Sequence, residues 1–318
     1  MSVYTEVGRT ALEQFLDDYD LGKLISYQGI SAGIENTNYF VTTSQGEFVL
    51  TLFEQHEYSE LAYFLNVMTF FYQQGIPSAH PAADKQGNYL KKLAEKPAAL
   101  VNRLAGGTVD TWSTPAQCQA IGDRLGQMHL AGQQFPSRRP NSRGAHWRKK
   151  TGKALIPHLD SATADMLAAE LAFQQNYADL DLPWGVVHSD LFRDNALFDG
   201  DQLSGIIDFY YACDDYLLYD LAVAVNDWCV AENGLLETTR YQRLMQAYIQ
   251  RRPLTAAEIT NWNLMLRAAA LRFWLSRLQD QLFPREGELT QIKNPDAFLA
   301  ILRQHQQQIF PADGFAPS

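Results

Sequence analysis

Three cysteines in 318 residues, Cys118, Cys213 and Cys229, are too few and too scattered for a disulfide framework or a zinc cluster, and they read as buried thiols. The seven histidines never reach the clustered spacing of a metal hydrolase. Basic residues are in the minority, 26 Lys and Arg against 36 Asp and Glu. The resulting net charge of −10 argues against a general affinity for nucleic acid or an anionic membrane. No stretch approaches the roughly 18 uninterrupted apolar residues of a membrane span. The opening MSVYTEVGRTALEQFL lacks the basic-then-apolar order of a secretory signal, so a cytoplasmic location is expected. Internal repeats, low-complexity tracts and a G-x-G-x-x-G loop are also missing, and no protein partner is implied.

What remains is an ordinary globular composition, 46% hydrophobic and 19% charged. The chain exceeds the roughly 250 to 300 residues at which single cores stop growing, which suggests two lobes. After an amphipathic helix near 9–18, the runs KLISYQGI, NTNYFVTT and EFVLTLFE alternate as strands between turn residues, an antiparallel meander. A helix over 58–74 ends at Gly75 and Pro77. Two more strands, around GNYLKKL and PAALVNRL, lead into Ala105, Gly106 and Gly107. Beyond them the period turns helical, interrupted by the short β runs WGVVH, NALF and LSGIIDF. The expected fold is α+β, with a small β-rich lobe over 1–104 and a larger, mainly helical lobe over 105–318.

The chemistry concentrates in VHSDLFRDN, 187–195, and GIIDFYYA, 205–212. An Asp between Ile207 and Phe209 is costly without a cation to face it. His188 to Asn195 fits H-x-D-x-x-x-x-N, the catalytic-loop pattern of kinase-like phosphotransferases. A loop of that length can aim the Asp190 carboxylate at an acceptor hydroxyl while Asn195 returns an amide oxygen to a metal. Asp208 on the next β run would complete a Mg²⁺ site, because Mg²⁺ takes hard oxygen ligands and leaves its other positions to phosphate and water. His188 reads as structural, Asp194 as a surface residue, Asp220 as a helix cap or loop brace, and His129 as a satisfied core histidine.

On these residues the chain resembles the aminoglycoside phosphotransferase and choline kinase superfamily. The segments SAGIENTNYFVTT, RPNSRGAHW, VVHSDLFRDNALF, IIDFYYACDDYLLYDLAVAVNDWC and LRAAALRFWLSRL make it similar, more narrowly, to the homoserine kinases of that superfamily. The resemblance spans nearly the whole chain. It implies a bilobal protein-kinase-like fold, ATP as co-substrate with Mg²⁺, and phosphorylation of the L-homoserine hydroxyl in threonine biosynthesis. By the resemblance, the place of the usual third-strand lysine falls in FVLTLFE on Thr51, so that the helix partner acid, Glu57 or Glu60, loses its obvious counter-charge. The turn SAGIENTN would then cover the phosphates with backbone amides and with Ser31, Asn36 and Asn38.

A zwitterionic acceptor needs a cation for its carboxylate and an acid or carbonyl for its ammonium. Arg193, Arg143 and Arg272 are candidates for the first, since a guanidinium grips a carboxylate in two-pronged fashion. Arg272 would otherwise pair with an acid such as Asp227. Asp227, Asp214 and Tyr210 are candidates for the ammonium. Another acceptor of choline, ethanolamine or aminoglycoside type would call for acids and aromatic cages instead. A regulatory pseudokinase is the third possibility, raised by Thr51.

Overall fold

The computed structural model describes residues 5–30, 36–56, 58–284 and 293–313. The chain forms two compact units. The first holds the described residues up to Ala105 together with Gly205–Tyr210, and the second holds Gly106–Ser204 and the described residues from Tyr211 onward that follow it, including 293–313. The sequence reading ran the second lobe unbroken from 105, whereas Gly205–Tyr210 rejoins the first unit. Backbone pairing explains the return: Ile206 donates to the Pro77 carbonyl at 2.7 Å and accepts from Ala79 N at 3.1 Å. Phe209 adds a ring contact to Phe71, with centroids 5.8 Å apart.

In the first unit the order is α1 (Arg9–Leu16), β1 (Leu24–Gly29), β2 (Asn36–Thr43), β3 (Gly46–Phe53), α2 (Tyr58–Gln73), β4 (Lys91–Leu93) and β5 (Lys96–Asn102). The strands form one antiparallel sheet in the order β1-β2-β3-β5-β4. Strand alternation divides its residues between two faces. Tyr39, Val41, Phe48, Leu50, Leu52, Ala98 and Leu100 pack with Leu12, Phe15 and Leu16 of α1 into one buried cluster. Each fully buried Leu or Phe there contributes about 1.5 to 3 kcal/mol. The opposite face carries Asn38 opposite Thr51, and Phe40 opposite Val49, which in turn faces Val101.

The second unit contains α3 (Pro115–Gly132), α4 (Ala145–Leu155), α5 (Ser161–Phe173), β6 (Trp184–Val187), β7 (Ala196–Asp199), β8 (Gln202–Ile206, which crosses into the first unit at Gly205), β9 (Cys213–Tyr216), α6 (Leu217–Trp228), α7 (Thr238–Arg251), α8 (Ala256–Leu282) and α9 (Asp296–Gln307). Reciprocal capping boxes start α3 at Thr114 and Gln117, and α8 at Thr255 and Glu258. Helix α3 presents Gly122 to α7 so closely that a Cβ there would stand 2.1 Å from the Leu244 carbonyl oxygen. Every residue of α6 is buried, as its almost uninterrupted apolar sequence requires. Strands β6 and β9 pair antiparallel, Trp184 with Tyr216 through Val187 with Cys213, and the functional loop begins where β6 ends.

Candidate active site

The loop after β6 is fixed by a buried carboxylate. Asp220, in the first turn of α6, accepts from the amides of His188 at 3.0 Å and Ser189 at 2.7 Å, and stands 3.1 Å from His129 Nε2. Burial pushes the Asp220 carboxyl up, but the His129 hydrogen bond and the loop amides outweigh it, and its pKa falls below the usual value. His129 is itself held low by burial, so it is a neutral ring that donates to Asp220 from Nε2 and accepts from the Tyr248 hydroxyl at Nδ1, 2.6 Å away. Tyr248 also accepts from Arg252 at 3.1 Å, and Arg252 donates to Glu258 at 2.7 Å. Thus a polar network runs from the start of α8 to the loop. Asp220 is the brace expected of it; the Tyr248–Arg252–Glu258 extension carries no sequence signal, because its members meet only in three dimensions.

Ser189 adopts φ 61°, a left-handed conformation rare outside glycine. Its hydroxyl donates to the Tyr211 carbonyl at 2.7 Å. Strain of this kind persists only where the surroundings impose it. Asp190 follows immediately. Asn195 Nδ2 donates to the Asp190 carbonyl at 2.8 Å and to its Oδ2 at 3.2 Å, and Trp228 Nε1 donates to the Leu191 carbonyl at 2.9 Å. With Nδ2 committed to Asp190, Oδ1 is the Asn195 atom left to meet a cation. Arg272 on α8 places Nη1 3.6 Å from Asp190 Oδ1, and its guanidinium stacks on Phe273 at 3.7 Å and on Tyr211 at 5.3 Å. The sequence reading offered Asp227 as its alternative partner. The structure gives Arg272 to Asp190 instead.

Asp227 belongs to Arg193: the Arg193 amide reaches Asp227 Oδ2 at 2.8 Å and its Nε the same oxygen at 3.2 Å, while Nη1 donates to the Thr111 carbonyl at 2.7 Å. Lys293 pairs with Asp194 at 2.6 Å, so Asp194 does sit at the surface. These residues line an open cavity of about 540 Å³ with Trp112, Phe192 and Arg277. Arg277 escaped the sequence reading, although LRFWLSRL places it five residues beyond Arg272 in the same apolar helix. Burial lowers the Arg277 pKa, and the carboxylates of Asp227, Asp190 and Asp194 oppose that shift. Arg143 is engaged elsewhere, stacked on Trp147 at 4.6 Å. Asp214 accepts from Arg138 at 2.8 Å and from the Arg139 amide at 2.7 Å.

In the first unit Asp208 is exposed and also has positive φ, 62°. Tyr210 belongs to the same unit. Its ring enters an aromatic cluster with Phe53 at 5.1 Å, Phe64 at 6.0 Å and His56 at 6.1 Å. Burial and the nearby Asp208 raise its hydroxyl pKa, while a hydrogen bond with Thr51 lowers it. Thr51 also donates to Asn38 Oδ1 at 2.8 Å. The same sheet face bears a second cavity of about 340 Å³, lined by Ser26, Gln28, Phe40, Thr42 and Arg103. Asn36 is buried at the start of β2. Ser31 and Glu57 lie outside the described residues. Among the described residues, no three His, Cys, Asp or Glu side chains group as a metal site. No helix among them is long and apolar enough to cross a membrane.

Comparison with known proteins points the same way. A homoserine kinase of Methylobacillus flagellatus is 50% identical over 303 residues, 95% of each chain. One of Janthinobacterium sp. (strain Marseille) is 43% identical over 316 residues, 98% of each. Among solved structures, an amicoumacin kinase in complex with AMP-PNP and Ca²⁺ superposes with a TM-score of 0.70 at 16% identity, over 98% of this chain and 96% of the other. A choline kinase from Cryptosporidium parvum does so at 0.66 and 12% identity, over 94% and 96%. Residues 26–256 match the family model described as the phosphotransferase enzyme family, and with near full-length relatives at this identity the chain belongs to that family.

Proposed function

We propose that the protein transfers the γ-phosphoryl group of ATP to the hydroxyl of L-homoserine, giving O-phospho-L-homoserine and ADP. The observation that carries this reading is the near end-to-end match to homoserine kinases at up to 50% identity. The geometry of the catalytic loop supports it. Asp190 is aimed by Asn195 and accompanied by Arg272. As the acceptor oxygen bonds to the γ-phosphorus and the bond to ADP breaks, the hydroxyl proton passes to the Asp190 carboxylate. Positioning and charge stabilisation do the rest.

Asn195 Oδ1 and the Asp208 carboxylate are the hard oxygen donors that suit Mg²⁺, and they would hold it. When bound, that ion neutralises charge on the phosphates. Asn38, Thr51 and the pocketed sheet face around Phe40 are the nucleotide-facing candidates, with backbone amides taking the part of the missing lysine. The setting is cytoplasmic, where ATP is supplied. The test is ³¹P NMR of the purified protein with ATP, Mg²⁺ and L-homoserine. A phosphomonoester signal co-migrating with authentic O-phospho-L-homoserine is expected. ATP consumption only with choline, ethanolamine or an aminoglycoside would replace the reading.

A further inference from the structure

The cavity beside the catalytic loop holds three cations, and two of them are already neutralised. Arg193 is bound to Asp227, and Lys293 to Asp194. Arg277 differs. Its Nη1 donates to the Asn294 carbonyl at 3.2 Å and its face stacks on Phe298 at 4.5 Å, and no carboxylate of a described residue forms an ion pair with it. A guanidinium offers five N–H donors in a planar fork that matches a carboxylate. Among the described residues Arg277 meets carboxylates only through space, those of Asp227, Asp190 and Asp194, which leaves the rest of its fork open to a bound anion.

Its position suits the acceptor. Arg272 stands 3.6 Å from Asp190, and Arg277 follows five residues later on α8, about 7.5 Å of helical rise. In an extended hydroxy amino acid of four carbons, the hydroxyl oxygen and the carboxylate carbon lie about 5 Å apart by standard bond lengths. Adding a hydrogen bond of about 2.8 Å at each end gives a reach of about 10.6 Å, and the Asp190 carboxylate acts on Arg277 through space. Phe192, Arg193 and Asp227 line the same cavity as Arg277.

We propose that Arg277 binds the α-carboxylate of the acceptor and is the residue that selects an amino acid over a simple amino alcohol. This rests on the homoserine reading and assigns a residue within it. The competing anion is a nucleotide phosphate, and kinetics separate the two. In R277Q the KM for L-homoserine is expected to rise about tenfold or more while the KM for ATP stays within about twofold, the loss of a charged partner falling on one substrate. The ratio of kcat/KM for L-homoserine over 3-amino-1-propanol should fall by about tenfold or more, with R277K intermediate.

An unchanged ratio, or a loss confined to ATP, overturns the assignment. Should either variant fold poorly, the wild type still answers through phenylglyoxal labelling mapped by peptide mass. L-homoserine and L-2-aminobutyrate should slow modification of Arg277, and 3-amino-1-propanol should not. Equal labelling in all three overturns it as well. Failure of the homoserine reading shows differently, as a wild type that does not phosphorylate L-homoserine at all.

Discussion

Asp190 owes its aim to three neighbours. Asn195 ties its carbonyl and carboxylate, the Asp220 carboxylate fixes the two amides before it, and Arg272 sets a guanidinium beside Oδ1. Replacing Asp190 by Ala should lower kcat by about two orders of magnitude or more and leave nucleotide affinity nearly unchanged, because the role proposed for the residue is on the acceptor side. Isothermal titration with a non-hydrolysable nucleotide, beside steady-state kinetics, checks both halves. Arg272→Ala should act on kcat, since its partner is the proposed base; a rise in KM for the acceptor with kcat intact would return Arg272 to the carboxylate-binding role the sequence suggested. The contact of Asp190 with Asn195 was legible because the two are close in sequence and a spacing can be read along a chain. The ion pairs of Arg193 with Asp227 and of Arg272 with Asp190 were not, since partners far apart along the chain leave no spacing to read.

Buried polar contacts join α6, α8 and α9, and they set how stability responds to pH. His305 on α9 shares a 2.8 Å hydrogen bond with Asn226 of α6, whose Nδ2 donates to the Leu266 carbonyl of α8 at 2.9 Å. Burial pushes the His305 pKa down to about 3. A folded pKa below the unfolded value of about 6.5 means that the unfolded chain binds the proton first. This group's contribution is therefore full above about pH 6.5, falls as pH drops at up to roughly 1.4 kcal/mol per unit, and is fully lost near pH 3. Urea unfolding midpoints between pH 7.5 and 5 should fall less steeply in His305→Gln than in the wild type; parallel slopes would contradict the burial argument.

The contact of α3 with α7 is equally specific. Gly122→Ala would drive a methyl against the Leu244 carbonyl and should cost about 1 to 3 kcal/mol, visible as a lower Tm. On β3, Thr51→Lys must place an ammonium where Thr51 is buried against Asn38, so kcat/KM should not rise by more than about tenfold, or roughly 1.4 kcal/mol. A larger gain would mean that the phosphate site lacked only that lysine. Element boundaries were least legible where turns lack glycine. Strands β4 and β5 turn through Ala94 and Glu95 at φ 49° and 61°, a hairpin the residue types do not announce, and β4 is accordingly shorter than the run GNYLKKL suggested.

At the scale of the whole molecule, period and turn residues were enough to separate a β-rich first part from a helical second, because strand alternation and helical periodicity are local properties. The return of Gly205–Tyr210 to the first unit was hidden, since it depends on backbone hydrogen bonds to Pro77 and Ala79 far back along the chain. That return makes Asp208 part of one unit and Asp190 with Asn195 part of the other, and the proposed phosphotransfer chemistry names residues of each. The most direct test of that chemistry is acceptor-dependent ADP release by the wild-type protein, comparing kcat/KM for L-homoserine and 3-amino-1-propanol side by side with Asp190→Ala as control. The account expects turnover with L-homoserine, a preference of about tenfold or more over the amino alcohol, and loss of both in the control. Equal kcat/KM for the two acceptors, or L-homoserine turnover surviving in Asp190→Ala, would contradict it.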